Sequence, residues 1–287
     1  MAKAVVKNKI LVPIDFSNQS LIALGQSYNL AREYDAEILL LHVLEEGSIR
    51  PRIVVAKHLS EMKKAAQKAL NKLAEETSRK SHTVVDTMVA KGKVYEKITE
   101  VADMVDALLI IMGCSSKKKV EEWFIGSNAS RVIRESTCPV ITIKGKHHRN
   151  GCKNIVLPLD LTKQTKDKVN QAIEMASLGS YKAAIRIVSV LESKDEFLFN
   201  RLSEQMEQVK NSIKKQGVEC TSEIIKAKEG ETPAHCIISY ANKVDGDLLM
   251  IMTQQEANFT RMFIGSTAQE IVNNSDIPVM SIIPKGI

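Results

Sequence analysis

The chain is poor in aromatic residues, which make up 4% of its 287 residues and include a single tryptophan. Its net charge of +6 is spread along the sequence. Nucleic-acid binding generally needs clustered basic residues together with aromatics or a known reading module. We therefore expect no nucleic-acid partner.

Paired cysteine motifs and long apolar runs are also missing. The five cysteines are odd in number, without Cys-x-x-Cys or zinc-type spacing, and are typical of a reducing compartment. The segment Met1–Lys7 lacks the apolar core of a signal peptide. No apolar run approaches the length of a membrane span. We expect a cytoplasmic protein that does not contact membranes.

The common catalytic motifs are absent as well. The sequence contains no Gly-x4-Gly-Lys-Ser/Thr loop, no His-Glu-x2-His and no Gly-x-Ser-x-Gly. No acid and base are spaced to act as general catalysts. We expect a binding protein and not an enzyme, in which any nucleotide hydrolysis is slow and incidental.

What the chain does contain is a repeat. The segment from Lys9 to Ser17 returns from Lys153 to Thr162, and Phe-Ile-Gly-Ser at 124–127 returns at 263–266, each time twelve residues before a Pro-Val pair. A repeat of this length is a whole domain. The polar segment 144–153 is interpreted as a linker, with DNA binding as the less favoured alternative. The predicted domains are 1–145 and 152–287.

Each domain alternates strands with helices. The strands are continuous apolar runs, typical of parallel strands covered on both faces. Predicted strands are 10–14, 38–43, 84–89, 108–112 and 140–143, then 155–159, 185–190, 223–227, 248–252 and 279–283. The pattern predicts an α/β fold with a mainly parallel sheet in each domain and right-handed crossovers.

Candidate ligand residues follow the first and fourth strands. Asp15 comes directly after the first strand, where open sheets bind ligands, although a turn or helix-cap role fits it equally. Gly113 and Ser116 precede Gly126 and Ser127, and Ser127 is expected to begin a helix whose first-turn amides could hold a phosphate. An ordinary loop is the alternative.

The second strand ends with His42 and Val43. Side chains alternate along a strand, so the two should point to opposite faces of the sheet. Val43 could pack against a flat base, whereas His42 is interpreted as structural.

Taken together, these residues resemble the universal stress protein family, in its tandem form. Nucleotide-binding members carry Gly-x2-Gly-x9-Gly-Ser/Thr after the fourth strand and an Asp after the first. Gly113, Ser116, Gly126 and Ser127 fall on that spacing, with serine in place of the middle glycine. The resemblance covers nearly the whole chain, twice.

The resemblance implies two tandem doubly wound domains, each with a five-stranded parallel sheet in the order 3-2-1-4-5. It implies bound ATP, or ADP or AMP, often with a divalent cation such as Mg²⁺ or Mn²⁺. It implies pairing of the two domains through their fifth strands, and a homodimer is conceivable. The implied nucleotide-binding residues are Pro13, Asp15, Val43, Met112, Gly113, Ser116, Gly126, Ser127 and Asn128.

The second half departs further from this pattern. Asp160 and Gly265-Ser266 remain, but Thr253 replaces the first glycine, the loop is one residue shorter, and Glu256 adds negative charge. Like charge opposes phosphate binding, so we expect this site to be weak, empty or repurposed. The leading hypothesis is a stress-response module that binds an adenine nucleotide mainly in its N-terminal domain. The alternative is a scaffold or non-nucleotide binding protein with two degenerate pockets.

Overall fold

The structure is a computed structural model. It describes residues 8–45, 52–114, 126–145, 151–160, 165–193, 195–255, 262–263 and 265–283. Among these residues, no helix combines the length and apolarity needed to cross a membrane.

The first half forms one sheet flanked by helices. Its elements, in chain order, are β1 (Lys9–Pro13), α1 (Asn18–Glu33), β2 (Glu37–Leu44), α2 (Arg52–Ser81), β3 (Val85–Lys91), α3 (Val94–Met104), β4 (Ala107–Gly113), α4 (Ser127–Glu135) and β5 (Val140–Ile143). The strand order is β3-β2-β1-β4-β5. Strand β1 pairs in parallel with β2 and with β4, and β2 pairs in parallel with β3.

The second half repeats this plan. Its elements are β6 (Asn154–Pro158), α5 (Thr165–Ala176), β7 (Ala184–Leu191), α6 (Glu196–Lys215), β8 (Cys220–Lys226), α7 (Pro233–Lys243), β9 (Leu248–Met252), β10 (Gln254–Gln255), β11 (Met262–Phe263), α8 (Ser266–Asn274) and β12 (Val279–Ile282). The order of its main strands is β8-β7-β6-β9-β12, with parallel pairing throughout. The short strands β10 and β11 form a separate antiparallel pair.

The predicted fold class is therefore confirmed, with the order 3-2-1-4-5 in each half. The chain divides into two compact units, and the division falls within β5, between Ile141 and Thr142. The predicted domain limits, 1–145 and 152–287, remain predictions.

Burial explains why the central strands read as unbroken apolar runs. All four residues of β5 and all five of β9 are buried, as are the three middle residues of β1. Both faces of these strands are covered, which favours apolar side chains, and Thr142 of β5 is the polar exception among them. The edge strand β8 is different, and its start was predicted three residues late because Thr221 and Ser222 interrupt the apolar run. Cys220 nevertheless pairs with Ile185 and is 1% exposed.

Side-chain caps set where several helices begin. The Ser17 hydroxyl accepts a hydrogen bond from the Ser20 backbone N–H, and α1 begins at Asn18. Thr232 caps α7 in the same way, and Asp195 caps α6. These caps satisfy backbone N–H groups that have no partner inside the helix.

Candidate functional site

The carboxyl ends of β1, β2 and β4 lie at the same edge of the first sheet, because these neighbouring strands are parallel. The first turn of α1 packs directly on the end of β4. A Cβ added at Gly113 would overlap the Gln19 carbonyl and would lie 2.7 Å from the Ser20 backbone nitrogen. This edge is where open α/β sheets bind ligands.

Asp15 lies in the turn between β1 and α1. Its Oδ1 accepts a hydrogen bond of 2.9 Å from the backbone N–H of Ser17, which is the residue that caps α1. This is the turn role that the sequence left open. The Asp15 side chain remains exposed, so the turn does not remove it from a ligand's reach.

The surroundings of Asp15 lower the pKa of its carboxyl group and favour the charged form. Burial works against ionisation, but hydrogen bonds from Ser17 and from the Ser20 hydroxyl outweigh it and hold the pKa of Asp15 below its ordinary value. Asp15 is thus an ionised acceptor at neutral pH, suited to ribose hydroxyls or an adenine amino group.

Phe16 is a feature of this turn that the sequence did not reveal. Its φ is +62°, a left-handed conformation that is rare for a bulky side chain. The ring is 40% exposed and its centroid lies 5.1 Å from that of His42. Such strained residues cluster at functional sites. No sequence signal marks this residue, because a phenylalanine after a strand usually belongs to the core.

His42 itself is structural, as predicted. Its Nδ1 lies 2.7 Å from the Ile14 carbonyl oxygen. The second half makes the equivalent contact with a different residue, since the Ser189 hydroxyl donates to the Leu159 carbonyl at 2.8 Å. In each half, a side chain of the second strand therefore forms a hydrogen bond with the carbonyl of the residue just after the first strand. Val43 is half-buried and pairs with Ala90 of β3, one residue before β2 ends.

Met112 and Gly113 end strand β4 at the same edge. Met112 is 6% exposed, which places most of its side chain in the core. The sequence pattern indicates close approach of an anion to this glycine, but the structure shows another need. Only a residue without a Cβ lets the α1 main chain pack on β4 at Gly113.

Helix α4 begins without a side-chain cap. Its N-cap residue is Gly126, and neither Ser127 nor any acidic residue in the first turn occupies the free amides. Gly126 and Ser127 are exposed and Asn128 is half-buried. An uncapped helix N-terminus with open N–H groups is a ready anion site. The β4–α4–β5 connection puts this terminus at the carboxyl edge of the sheet.

The structure thus brings Pro13, Asp15, Val43, Met112 and Gly113 to one edge of the sheet, and Gly126, Ser127 and Asn128 form the start of α4. Ser116 lies outside the described residues. Nucleotide contacts by all nine remain predictions. Within the described ranges, no cluster of three or more His, Cys, Asp or Glu side chains could hold a metal ion.

The second half keeps the helix start and changes its surroundings. Gly265 is the N-cap of α8, again without a side-chain cap. Thr253 occupies the position of Gly113 and is 1% exposed. Both its backbone nitrogen and its hydroxyl donate to the Ile282 carbonyl, at 3.0 and 3.1 Å. The first half has no side chain at this position, because the main chain of α1 packs there.

Lys168 is a second difference, and sequence reasoning missed it. When Pro13-Ile-Asp15 is aligned with Pro158-Leu-Asp160, Lys168 of α5 falls on Ala23 of α1, which is fully buried. Its ammonium donates to the Pro158 carbonyl at 3.1 Å. Burial lowers the pKa of Lys168, and the nearby Asp160 carboxylate opposes that effect. Comparing the two halves position by position is the signal that would have found it.

The universal stress protein family model matches the chain twice, over residues 7–144 and 151–282. The chain belongs to the universal stress protein family. Universal stress protein MJ0531 from Methanocaldococcus jannaschii is 34% identical over 145 residues, which are 47% of this chain and 81% of that protein. That match spans about half of this chain, whereas the family model matches both halves.

Solved structures agree on the fold. A universal stress protein from Archaeoglobus fulgidus DSM 4304 superposes with a TM-score of 0.78 at 18% identity, covering 96% of each chain. Another universal stress protein from Archaeoglobus fulgidus was solved in complex with dAMP. It is 22% identical, covers 45% of this chain and 97% of its own, and has a TM-score of 0.37.

The two glycines of the first half should respond differently to alanine. Gly113→Ala forces a Cβ into the α1 main chain and should destabilise the protein by about 1–3 kcal/mol, as overpacking does. Gly126 has φ −54° and nothing within 4 Å of an added Cβ. Gly126→Ala should therefore change stability by less than about 1 kcal/mol. Urea unfolding of the two variants measures both values, and equal losses would contradict the packing role of Gly113.

Lys168 should make stability depend on pH at the alkaline end. Its pKa in the folded chain is below the unfolded value, so between these values the unfolded chain binds more protons and stability rises with pH. Wild type should gain stability relative to Lys168→Met as pH rises from neutral toward about 10.4, the ordinary pKa of lysine. Urea unfolding across this range tests it. The exposed neighbour Lys166 supplies the control, since Lys166→Met should show no such trend.

Proposed function

We propose that this universal stress protein binds ATP, or ADP or AMP, in its N-terminal half and acts as a cytoplasmic stress-response module. The observation that carries the proposal is the uncapped start of α4 at Gly126. Gly126 is exposed and precedes the first-turn amides of α4. Among the described residues no side chain caps these amides, no acidic residue lies in the first turn, and no atom lies within 4 Å of an added Cβ at Gly126. Amides in this arrangement favour a phosphate group.

The nucleoside end of the ligand is assigned to the edge formed by β1 and β2. Asp15 is exposed and held in its charged form, so it can accept hydrogen bonds from the ribose or the adenine. Val43 lies one residue before the end of the adjacent strand β2, where its main chain can meet the base. Ser116 is assigned to the phosphates. Mg²⁺ or Mn²⁺ would be brought in with the triphosphate.

The protein is proposed to be a binding module and not a catalyst. The sequence provides no acid–base pair for phosphoryl chemistry, and Asp15 is engaged in its turn with Ser17. Binding of a nucleotide would then report to a partner. The two domains are proposed to pair within one chain, and a homodimer remains a further proposal.

A degenerate scaffold is the competing function, and calorimetry with ATP and Mg²⁺ separates the two. The leading proposal expects binding well below millimolar concentration. No heat, or affinity weaker than millimolar, would favour the scaffold. If the protein released many phosphate molecules from ATP per chain, above the rate in buffer, it would instead be an enzyme.

Alanine at the two helix N-caps tests the asymmetry between the halves. Gly126→Ala places a methyl group beside the proposed phosphate and should weaken ATP binding roughly tenfold, which is about 1.4 kcal/mol. Gly265→Ala makes the same change at α8 and should leave affinity within about twofold. Because unliganded Gly126→Ala is expected to be nearly as stable as wild type, lost binding would report the ligand. Equal losses in both variants would refute binding by the first half alone.

Asp15→Asn tests the nucleoside contact without breaking the turn. The asparagine carbonyl can still accept the Ser17 N–H, whereas the negative charge is lost. ATP affinity should fall roughly tenfold while thermal stability stays close to that of wild type. The matched change in the second half is Asp160→Asn, which should not alter ATP binding. Unchanged affinity in Asp15→Asn would remove Asp15 from the site.

A further inference from the structure

The second half has a lysine, Lys168, at the position where the first half has an alanine, Ala23. Lys168 stands on the face of α5 that packs on the sheet, in register with the fully buried Ala23 of α1. The register is secured at the far end of both helices, where Ala31 and Ala176 accept equivalent hydrogen bonds from Ala36 and Ala183. A charge placed in such an environment is costly unless its hydrogen-bonding capacity is used.

Lys168 has more donor capacity than its hydrogen bond to the main chain uses. An ammonium group carries three donors, and one hydrogen bond runs to the Pro158 carbonyl at the end of β6. The Asp160 carboxylate attracts the same ammonium electrostatically. The side chain is half-buried, so it is sheltered from water and still within reach of a small ligand.

Thr165 provides a second donor on the same face of α5. Its Oγ1 is buried and has no hydrogen-bond partner among the described residues, which is rare for a buried hydroxyl. It lies three residues before Lys168, a spacing that puts both side chains on one side of a helix. The equivalent residue in the first half, Ser20, is satisfied, since its hydroxyl donates to the Ser17 carbonyl at 3.0 Å.

We propose that the carboxyl end of β6 binds a small oxyanion that carries a hydroxyl group, with Lys168 and Thr165 as donors and Asp160 as acceptor. Hydrogen phosphate and short hydroxycarboxylates share this chemistry. The negative charge of Asp160 selects against a bare multiply charged anion and in favour of one that can donate a proton to it. Thr253, at the position of Gly113, is buried and donates its hydroxyl to the Ile282 carbonyl, so it is not one of the proposed donors.

Inorganic phosphate is the first probe, followed by lactate and sulfate. Calorimetry on the full chain at pH 7 should show phosphate and lactate binding, with sulfate at least fivefold weaker, because sulfate has no hydroxyl to donate to Asp160. Sulfate binding as tight as phosphate would overturn the assignment of Asp160. Absence of binding by all three probes would overturn the proposal.

Three variants assign the binding to individual residues. Lys168→Met should lower phosphate affinity at least tenfold and Thr165→Val at least threefold. Lys166→Met removes the same charge from an exposed position on the same helix and should stay within twofold of wild type. Equal losses in the two lysine variants would mean that overall charge, and not a site, holds the anion.

Chemical labelling of the wild type avoids any dependence on folding of the variants. Lysines are acylated with a succinimidyl ester, and the modified positions are quantified by mass spectrometry with and without phosphate. Phosphate should protect Lys168 and leave Lys166 unprotected. Because the readout is at Lys168, it is separate from phosphate binding near Gly126, and ATP binding by the first half can fail without affecting it. Equal labelling of Lys168 in both conditions would overturn the proposal.

Discussion

The contact of α1 with the end of β4 is the constraint on which the first half's site depends. The main chain of Gln19 and Ser20 packs where a Cβ of residue 113 would otherwise lie. The turn in which Asp15 and Ser17 are bonded directly precedes this contact. The carboxylate of Asp15 is left exposed at the sheet edge. The strained Phe16 is part of the same turn.

The two halves show how one fold can keep its frame while its crevices diverge. Both keep the strand order, the carbonyl contact past the first strand, and an uncapped helix after the fourth strand. They differ at single positions, with Thr253 in place of Gly113 and Lys168 in place of Ala23. Lys168 adds a charge where the first half has a methyl group.

Sequence reasoning recovered the repeat and the fold class because these follow from long-range regularities, whereas the strand order was implied by the family resemblance. Buried parallel strands produce continuous apolar runs, and two copies of the pattern support each other. It was less reliable where polar residues cross a strand, as at the start of β8. The sequence identified Asp15 but could not choose between a turn role and a ligand role. The structure shows the turn hydrogen bond and leaves the side chain exposed, so both roles stay compatible with it. Ser116 lies outside the described residues, and its role remains a prediction.

The sequence alone determined the tandem organisation, the order of strands and helices, and the residues that end β1 and begin α4, because these depend on spacing along the chain. Only the tertiary structure decided why Gly113 must be glycine, that Phe16 adopts a left-handed conformation, and that Lys168 donates to the Pro158 carbonyl while the buried Thr165 hydroxyl has no partner among the described residues. Those properties arise from contacts between residues that are far apart in the sequence. Steric exclusion and the satisfaction of buried polar groups can be judged only once these neighbours are known.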